Sequence, residues 1–302
     1  MEEQIKNDLA IYLSCNPDRV KQTKMPLLVY PVPAVVNALY LPKDAVERFR
    51  VYDLCYELGK PAEHLLNNIY DECRNTEDPL SQLSAIEFIH QHNMYQPEFF
   101  IQLFKDFMND PLLIPTIATA TVPMLLVEPE KYEDFLKFII DHATTDMKDL
   151  LGTLPDIARN KFGTKLLLDS QNFKEFISEM QHDVELRTMN FYIRTLMIRN
   201  LDDPKKVIVE PKLILRSLNN PAVGLRVACL EHVAAAAKYC LDNFLQEQGF
   251  VSAMCDVTMD TTIDEEKSRL KAQDALGISL KVAGSKAPTQ LRKEAEPELM
   301  VI

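Results

Sequence analysis

Apolar residues recur along this chain at three- and four-residue spacing, the period of one face of an α-helix. Phe100, Leu103, Phe104 and Phe107 form one such stripe, and Phe135, Leu136, Ile139 and Ile140 form a second. Leu65, Leu66, Ile69 and Tyr70 repeat the pattern earlier in the chain, as do Phe173, Phe176 and Ile177 later. Each stripe predicts a short helix, and after each comes an Asp or Asn followed by a second apolar-periodic stretch. These anchors are Asp44, Asp78, Asp110, Asp146, Asp183, Asn220 and Asp264, spaced 34, 32, 36, 37, 37 and 44 residues apart. Asp and Asn suit a helix N-cap because the side-chain oxygen accepts a backbone N–H that the helix itself leaves unpaired. Pro79, Pro111 and Pro221 directly follow three of the anchors. They are expected at the first helical position, where the missing N–H costs nothing.

A repeating unit of two helices cannot cover its own apolar faces, so it requires neighbours. The period lies between tetratricopeptide and armadillo/HEAT repeats, and the chain has no Trp for a tetratricopeptide signature. The expected fold is all-α: an armadillo/HEAT-like superhelical solenoid of about six or seven helical hairpins, formed as one unit by residues 1–284. Within it, residues 25–42 carry Pro26, Pro31, Pro33 and Pro42, which predicts an irregular or kinked start. From 285 to 302 the helical period is lost, and that tail is expected to be disordered.

Composition removes several functional classes. Glycine occurs only 7 times in 302 residues, too few for glycine-rich phosphate loops or doubly wound nucleotide folds. A net charge of −12 argues against phosphate backbones or anionic lipid as partners, so neither nucleic acid nor membrane is expected. The longest weakly polar stretch, residues 114–127, is too short to span a bilayer and contains Pro115 and Pro123. The acidic start lacks the regions of a signal peptide, and the six cysteines show no paired spacing. A reduced protein of the cytoplasm or nucleus is the expectation. His90 and His92 point to different helix faces, and no Cys or carboxylate cluster joins them, so no metal site is expected. No nucleophile elbow, metalloprotease motif or dinucleotide fingerprint is present, so the chain is read as a non-enzyme without cofactor.

A family resemblance runs in order through several segments. Arg48-Phe49-Arg50-Val51-Tyr52-Asp53-Leu54 resembles a stretch of the proteasome base-assembly chaperones, the family of non-ATPase regulatory subunit 5 and the yeast Hsm-type proteins. The similarity continues at Leu112-Leu113-Ile114-Pro115, Glu130-Lys131-Tyr132-Glu133-Asp134-Phe135 and Gly163-Thr164-Lys165-Leu166-Leu167. It ends with Gly249-Phe250-Val251 and Asp264-Glu265-Glu266, and thus covers roughly residues 44–276. The resemblance implies an armadillo/HEAT-like scaffold that binds the C-terminal domain of an AAA+ ATPase subunit during assembly and then leaves. This chain is shorter than such proteins, with several N-terminal repeats expected to be missing. The alternative is a general armadillo/HEAT adaptor for another protein or peptide, although adaptors that use Trp/Asn ladders need the Trp this chain lacks.

The second helices of such hairpins line the inner curve, which selects candidate contact residues. Arg50, Asp53 and Glu57 fall at i, i+3 and i+7, away from Val51, Leu54 and Leu58; Glu87 lies on the helix after Asp78. Arg187, Asn190 and Arg194 form a matching stripe, and Arg226 takes the corresponding place in the next unit. Together they form a many-donor surface suited to a carboxylate-rich partner. The competing reading is structural: Asp183 and Arg187 stand at i,i+4, and repeat arginines tie neighbouring hairpins together.

Overall fold

The computed structural model describes residues 1–59, 63–144, 147–179, 183–258, 260–281 and 298–301. Those residues are helical nearly throughout, with two four-residue strands near the C-terminal end. The chain divides into two compact units, Met1–Ala120 and Thr121–Ile302.

The first unit holds α1 (Glu2–Ser14), α2 (Val20–Val29), α3 (Val32–Ala38), α4 (Ala45–Glu57), α5 (Glu63–Glu72), α6 (Pro79–Gln91) and α7 (Pro97–Phe107), after which α8 (Ile114–Leu125) begins. The proline-rich start forms two short helices: Pro26 lies inside α2, and Pro31 caps α3. Asp44 accepts the Glu47 N–H at 3.1 Å to start α4, and Asp78 accepts the Ser81 N–H at 3.1 Å to start α6 with Pro79 as its first residue. Asp110 behaves differently. Its carboxylate accepts N–H bonds from Leu112 (2.9 Å) and Leu113 (3.2 Å), which closes a turn, and α8 starts only at Ile114. Pro111 therefore sits in that turn rather than at the first helical position, because an Asp side chain two residues back stabilises a turn as readily as a cap.

Val51 and Leu54 of α4, Ile86 and Ile89 of α6, and Phe100, Leu103 and Phe104 of α7 are all fully buried. Each such side chain contributes roughly 1.5–3 kcal/mol when taken out of water. The side chains of Leu65 and Leu66 lie outside the described residues. A polar cluster joins α4, α5 and α6 around Glu72, which is 8% exposed. Its carboxylate accepts from Arg48 Nε (2.8 Å), Tyr52 OH (2.8 Å) and the Ser81 hydroxyl. With three donors on one carboxylate, the buried charge is paired and hydrogen-bonded, as burial requires.

The second unit continues with α9 (Glu133–Thr144), α10 (Leu154–Arg159), α11 (Lys161–Asp169), α12 (Gln171–Glu179), α13 (Val184–Asn200), α14 (Pro211–Leu218), α15 (Val223–Gln246), α16 (Phe250–Cys255) and α17 (Ile263–Ala275). Helix α13 packs on α15, α15 packs on α17, and the shorter α14 and α16 pack against α15. Asp183 caps α13 through the N–H groups of Glu185 (2.8 Å) and Leu186 (3.0 Å). Asn220 instead holds the Ala222 N–H (2.9 Å) in a turn, which leaves Pro221 ahead of α15. The cap of α17 is Thr262, in a capping box with Glu265, so Asp264 belongs to the first turn of that helix. The Asp146 anchor lies outside the described residues. Helical geometry breaks at Cys240 (φ −146°, ψ 33°), so Cys229 and Cys240 do not share one continuous helical face.

After α17, β1 (Ile278–Lys281) pairs antiparallel with β2 (Glu298–Val301), Ile278 opposite Val301 and Leu280 opposite Leu299. The expected disorder of the tail falls mostly on residues 285–297, outside those described. Its apolar end is paired instead: Leu299 and Val301 stand opposite Leu280 and Ile278, the apolar positions of the alternating strand β1.

Gly163, in the first turn of α11, faces the backbone of α10. A Cβ there would stand 2.3 Å from the Ile157 carbonyl oxygen and 2.8 Å from its Cγ2. Backbone cannot yield as a flexible side chain does, so Gly163→Ala is expected to lower stability by roughly 1–3 kcal/mol. Urea unfolding checks this: a midpoint equal to that of the unaltered protein would show that α10 and α11 separate freely.

Candidate protein-binding site

In the first unit, the cap at Asp44 fixes α4 and the cap at Asp78 fixes α6, and a groove of about 610 Å³ is lined by residues of both. Arg50, Asp53 and Glu87 line this groove together with Val46, Phe49, Leu80 and Phe88. Three of the four candidates read from this half of the sequence are thus brought together. Two of them also have local duties. Arg50 Nη1 donates to the carbonyls of Leu13 (2.6 Å) and Tyr12 (3.4 Å), where α1 ends and its last carbonyls lack helical partners. Asp53 and Glu57 share the ammonium of Lys24, at 2.9 and 2.5 Å. Burial alone would lower that ammonium, but the Glu57 and Asp53 carboxylates hold it above its ordinary value. With carboxylates 38% and 40% exposed, the two pairs contribute about 0–1 kcal/mol each, so Asp53 retains free surface in the groove. Glu57 does not line the groove. Glu87 is exposed.

The most informative groove residues are apolar. Val46 is 60% exposed and Leu80 75%. Each stands two positions after its Asp anchor, and Leu112, 57% exposed, stands two after Asp110. Val46 and Leu80 are thus each the second residue of a capped helix and left in water, whereas Leu112 is exposed in the turn that precedes α8.

In the second unit, Arg187, Asn190 and Arg194 line one cavity of about 400 Å³, between the end of α12, α13 and the start of α14. Lys212 and Arg216, at i,i+4 on α14, line it too. Their spacing and the Pro211 helix start are visible in the sequence. Asn190 Nδ2 donates to the Ile177 carbonyl at 3.0 Å, which leaves Oδ1 facing the other way. That Oδ1 and the Nε of Arg194 are both shut off from solvent and have no hydrogen-bond partner. Burial pulls the Arg194 guanidinium down to about 10, still charged at neutral pH.

Beside Arg194, the fully buried His232 joins three segments. Its Nε2 accepts the Val209 N–H at 3.1 Å, so the proton sits on Nδ1, which faces Thr195 Oγ1 at 3.3 Å. Burial first, and the Arg194 charge second, push this imidazole down to about 3.

Arg226 does not belong to either site. It is 1% exposed and ion-paired with Glu265, itself fully buried, while Arg226 Nη1 donates to the Asn220 carbonyl at 2.6 Å. The expectation that Arg226 presents a binding surface is corrected: a stripe of charge on one helix cannot reveal that the next helix packs over it. A similar enclosed pair, Arg269 with Asp260 at 2.7 Å, ties α17 to the segment before it.

Among the described residues, no group of three or more His, Cys, Asp and Glu side chains could hold a metal ion, and no helix is long and apolar enough to cross a membrane. All six cysteines are free. Burial pushes the Cys73 thiol up to about 12 and those of Cys55 and Cys240 up to about 11, far from the thiolate a nucleophile needs. Cys15, Cys240 and Cys255 are half-buried. No protein-family model matches the chain, and no curated protein matches it.

Proposed function

We propose that this chain is a non-catalytic protein-binding scaffold of the proteasome base-assembly chaperone type, with hairpins stacked in the armadillo/HEAT manner within each unit. Its partner is the C-terminal domain of an AAA+ ATPase subunit, held on the second helices. The observation that carries this reading is the pair of exposed aliphatic residues Val46 and Leu80, each the second residue of its helix and both lining one groove. Large aliphatic groups left in water beside a groove with Arg50, Asp53 and Glu87 match the apolar centre and polar rim of a protein interface. The packing of α13 on α15 and α15 on α17 supports the stacked arrangement. The family assignment rests on the ordered resemblance from residue 44 to residue 276.

Capture of separately purified C-terminal domains of the proteasomal ATPases by the immobilised chain tests the proposal. One domain is expected to be retained, and Val46→Asp with Leu80→Asp is expected to cut its affinity at least tenfold with an unchanged melting temperature. Both positions lie in a first helical turn, where an acidic residue is well tolerated. Retention of none of the domains would overturn the partner assignment, and undiminished capture by the double variant would move the site off this groove.

A further inference from the structure

The cavity between α13 and α14 holds two unmet requirements that point in complementary directions. Arg194 presents a buried Nε–H with no acceptor, and Asn190, one helical turn away, presents a buried Oδ1 with no donor. Arg194 has no ion-pair partner among the described residues. Arg194 as a whole is half-buried, but a guanidinium partly withdrawn from water without an anion is still costly, and each unpaired buried polar atom adds to the cost. Such groups persist where a ligand completes them. Lys212 and Arg216, both exposed, add positive charge at the mouth. Among the described residues of the lining, Glu210 is the one carboxylate, and it is exposed at the N-cap of α14. In a chain of net charge −12 this is a local cationic pocket with apolar walls from Phe191 and Leu213.

We propose that this cavity receives a carboxylate of a bound acidic peptide segment, the carboxylate pairing with Arg194 and a peptide N–H donating to Asn190 Oδ1. A carboxylate offers Arg a planar, bidentate acceptor, and only a ligand that also carries a donor satisfies the amide oxygen. The inference rests on the reading of the chain as a protein-binding scaffold and adds what its second unit recognises. The carboxylate comes either from an Asp or Glu side chain or from a peptide C-terminus.

Fluorescence polarisation on the full chain separates these sources with three labelled octapeptides. One alternates Glu and Leu with an amidated end, one replaces Glu by Gln, and one is the Gln peptide with a free C-terminal carboxylate. Binding by the first or the third, and none by the neutral amidated peptide, is expected. Arg194→Met keeps the length of the stem and removes the unpaired charge. It is expected to weaken that binding at least tenfold while leaving the melting temperature equal or higher. Arg216→Glu, on the exposed mouth, is expected to weaken it at least threefold. Equal affinity for all three peptides, unchanged affinity in either variant, or a fall of several degrees in the melting temperature of R194M would overturn the proposal. Loss of peptide binding with the ATPase domain still captured defeats the cavity alone. Peptide binding with no ATPase domain captured defeats the partner assignment and leaves the cavity standing.

Discussion

Replacing Arg226 by Met is expected to remove about 3–5 kcal/mol of stability. The guanidinium lies between the Asn220 carbonyl and the carboxylate of Glu265, with side chains 2% and 0% exposed. Burial alone would raise the Glu265 carboxyl; the Thr261 N–H and Arg226 together hold it below its ordinary value. Removing Arg226 leaves that charge buried, with the α17 cap as its remaining support: the N–H groups of Thr261 (2.9 Å) and Thr262 (3.1 Å) and the hydroxyls of Thr261 (3.1 Å) and Thr262 (3.2 Å), all on one carboxylate oxygen. The loss therefore comes chiefly from the stranded carboxylate and less from the lost pair. Urea unfolding of R226M and of R226M with Glu265→Gln distinguishes these. The double variant is expected to recover part of the loss, because the neutral amide costs less to bury. A loss below about 1 kcal/mol in R226M would show that the pair is open to water.

Acid sensitivity should centre on His232. Its folded value, about 3, lies below the ordinary 6.5. Between those two values the unfolded chain binds a proton at this residue and the folded chain does not. Stability is therefore fully present above pH 6.5 and falls as the pH drops toward 3, by up to about 1.4 kcal/mol per unit and on the order of 5 kcal/mol in all. Protonation would also destroy the acceptor that holds the Val209 N–H, the contact joining α15 to the segment before α14. Unfolding free energies at pH 7, 6, 5 and 4 check this against His232→Gln, whose carbonyl keeps an acceptor for Val209 but does not titrate. The variant should show a distinctly shallower decline; equal slopes would place the acid sensitivity elsewhere.

What was legible in the sequence was local. The caps at Asp44, Asp78 and Asp183 could be read because the donor lies two or three residues from the acceptor, and the apolar stripe of α7 because its period is its own. The same locality misled at Asp110 and Asn220, where an identical side chain closes a turn before the helix begins. The stripe Arg187, Asn190, Arg194 was legible as a group because i,i+3 and i+7 residues share a helix face whatever that face meets. Its companion Arg226 was not separable from it in sequence, since its partner Glu265 is 39 residues away on another helix. His232 gave no signal either: one His within an apolar helix reads as core, and its bonds come from Val209 and Thr195 on different segments. The interruption at Cys240 has no proline or glycine beside it to announce it.

The measurement that bears most directly on a protein-binding role for the second helices is amide hydrogen exchange on the full chain, with and without the captured ATPase C-terminal domain. Slowed exchange is expected in the first turns of α4 and α6, beside Val46 and Leu80, and over the groove residues Arg50 to Asp53. Protection confined to α5 and α7, or none anywhere in the chain, would contradict it.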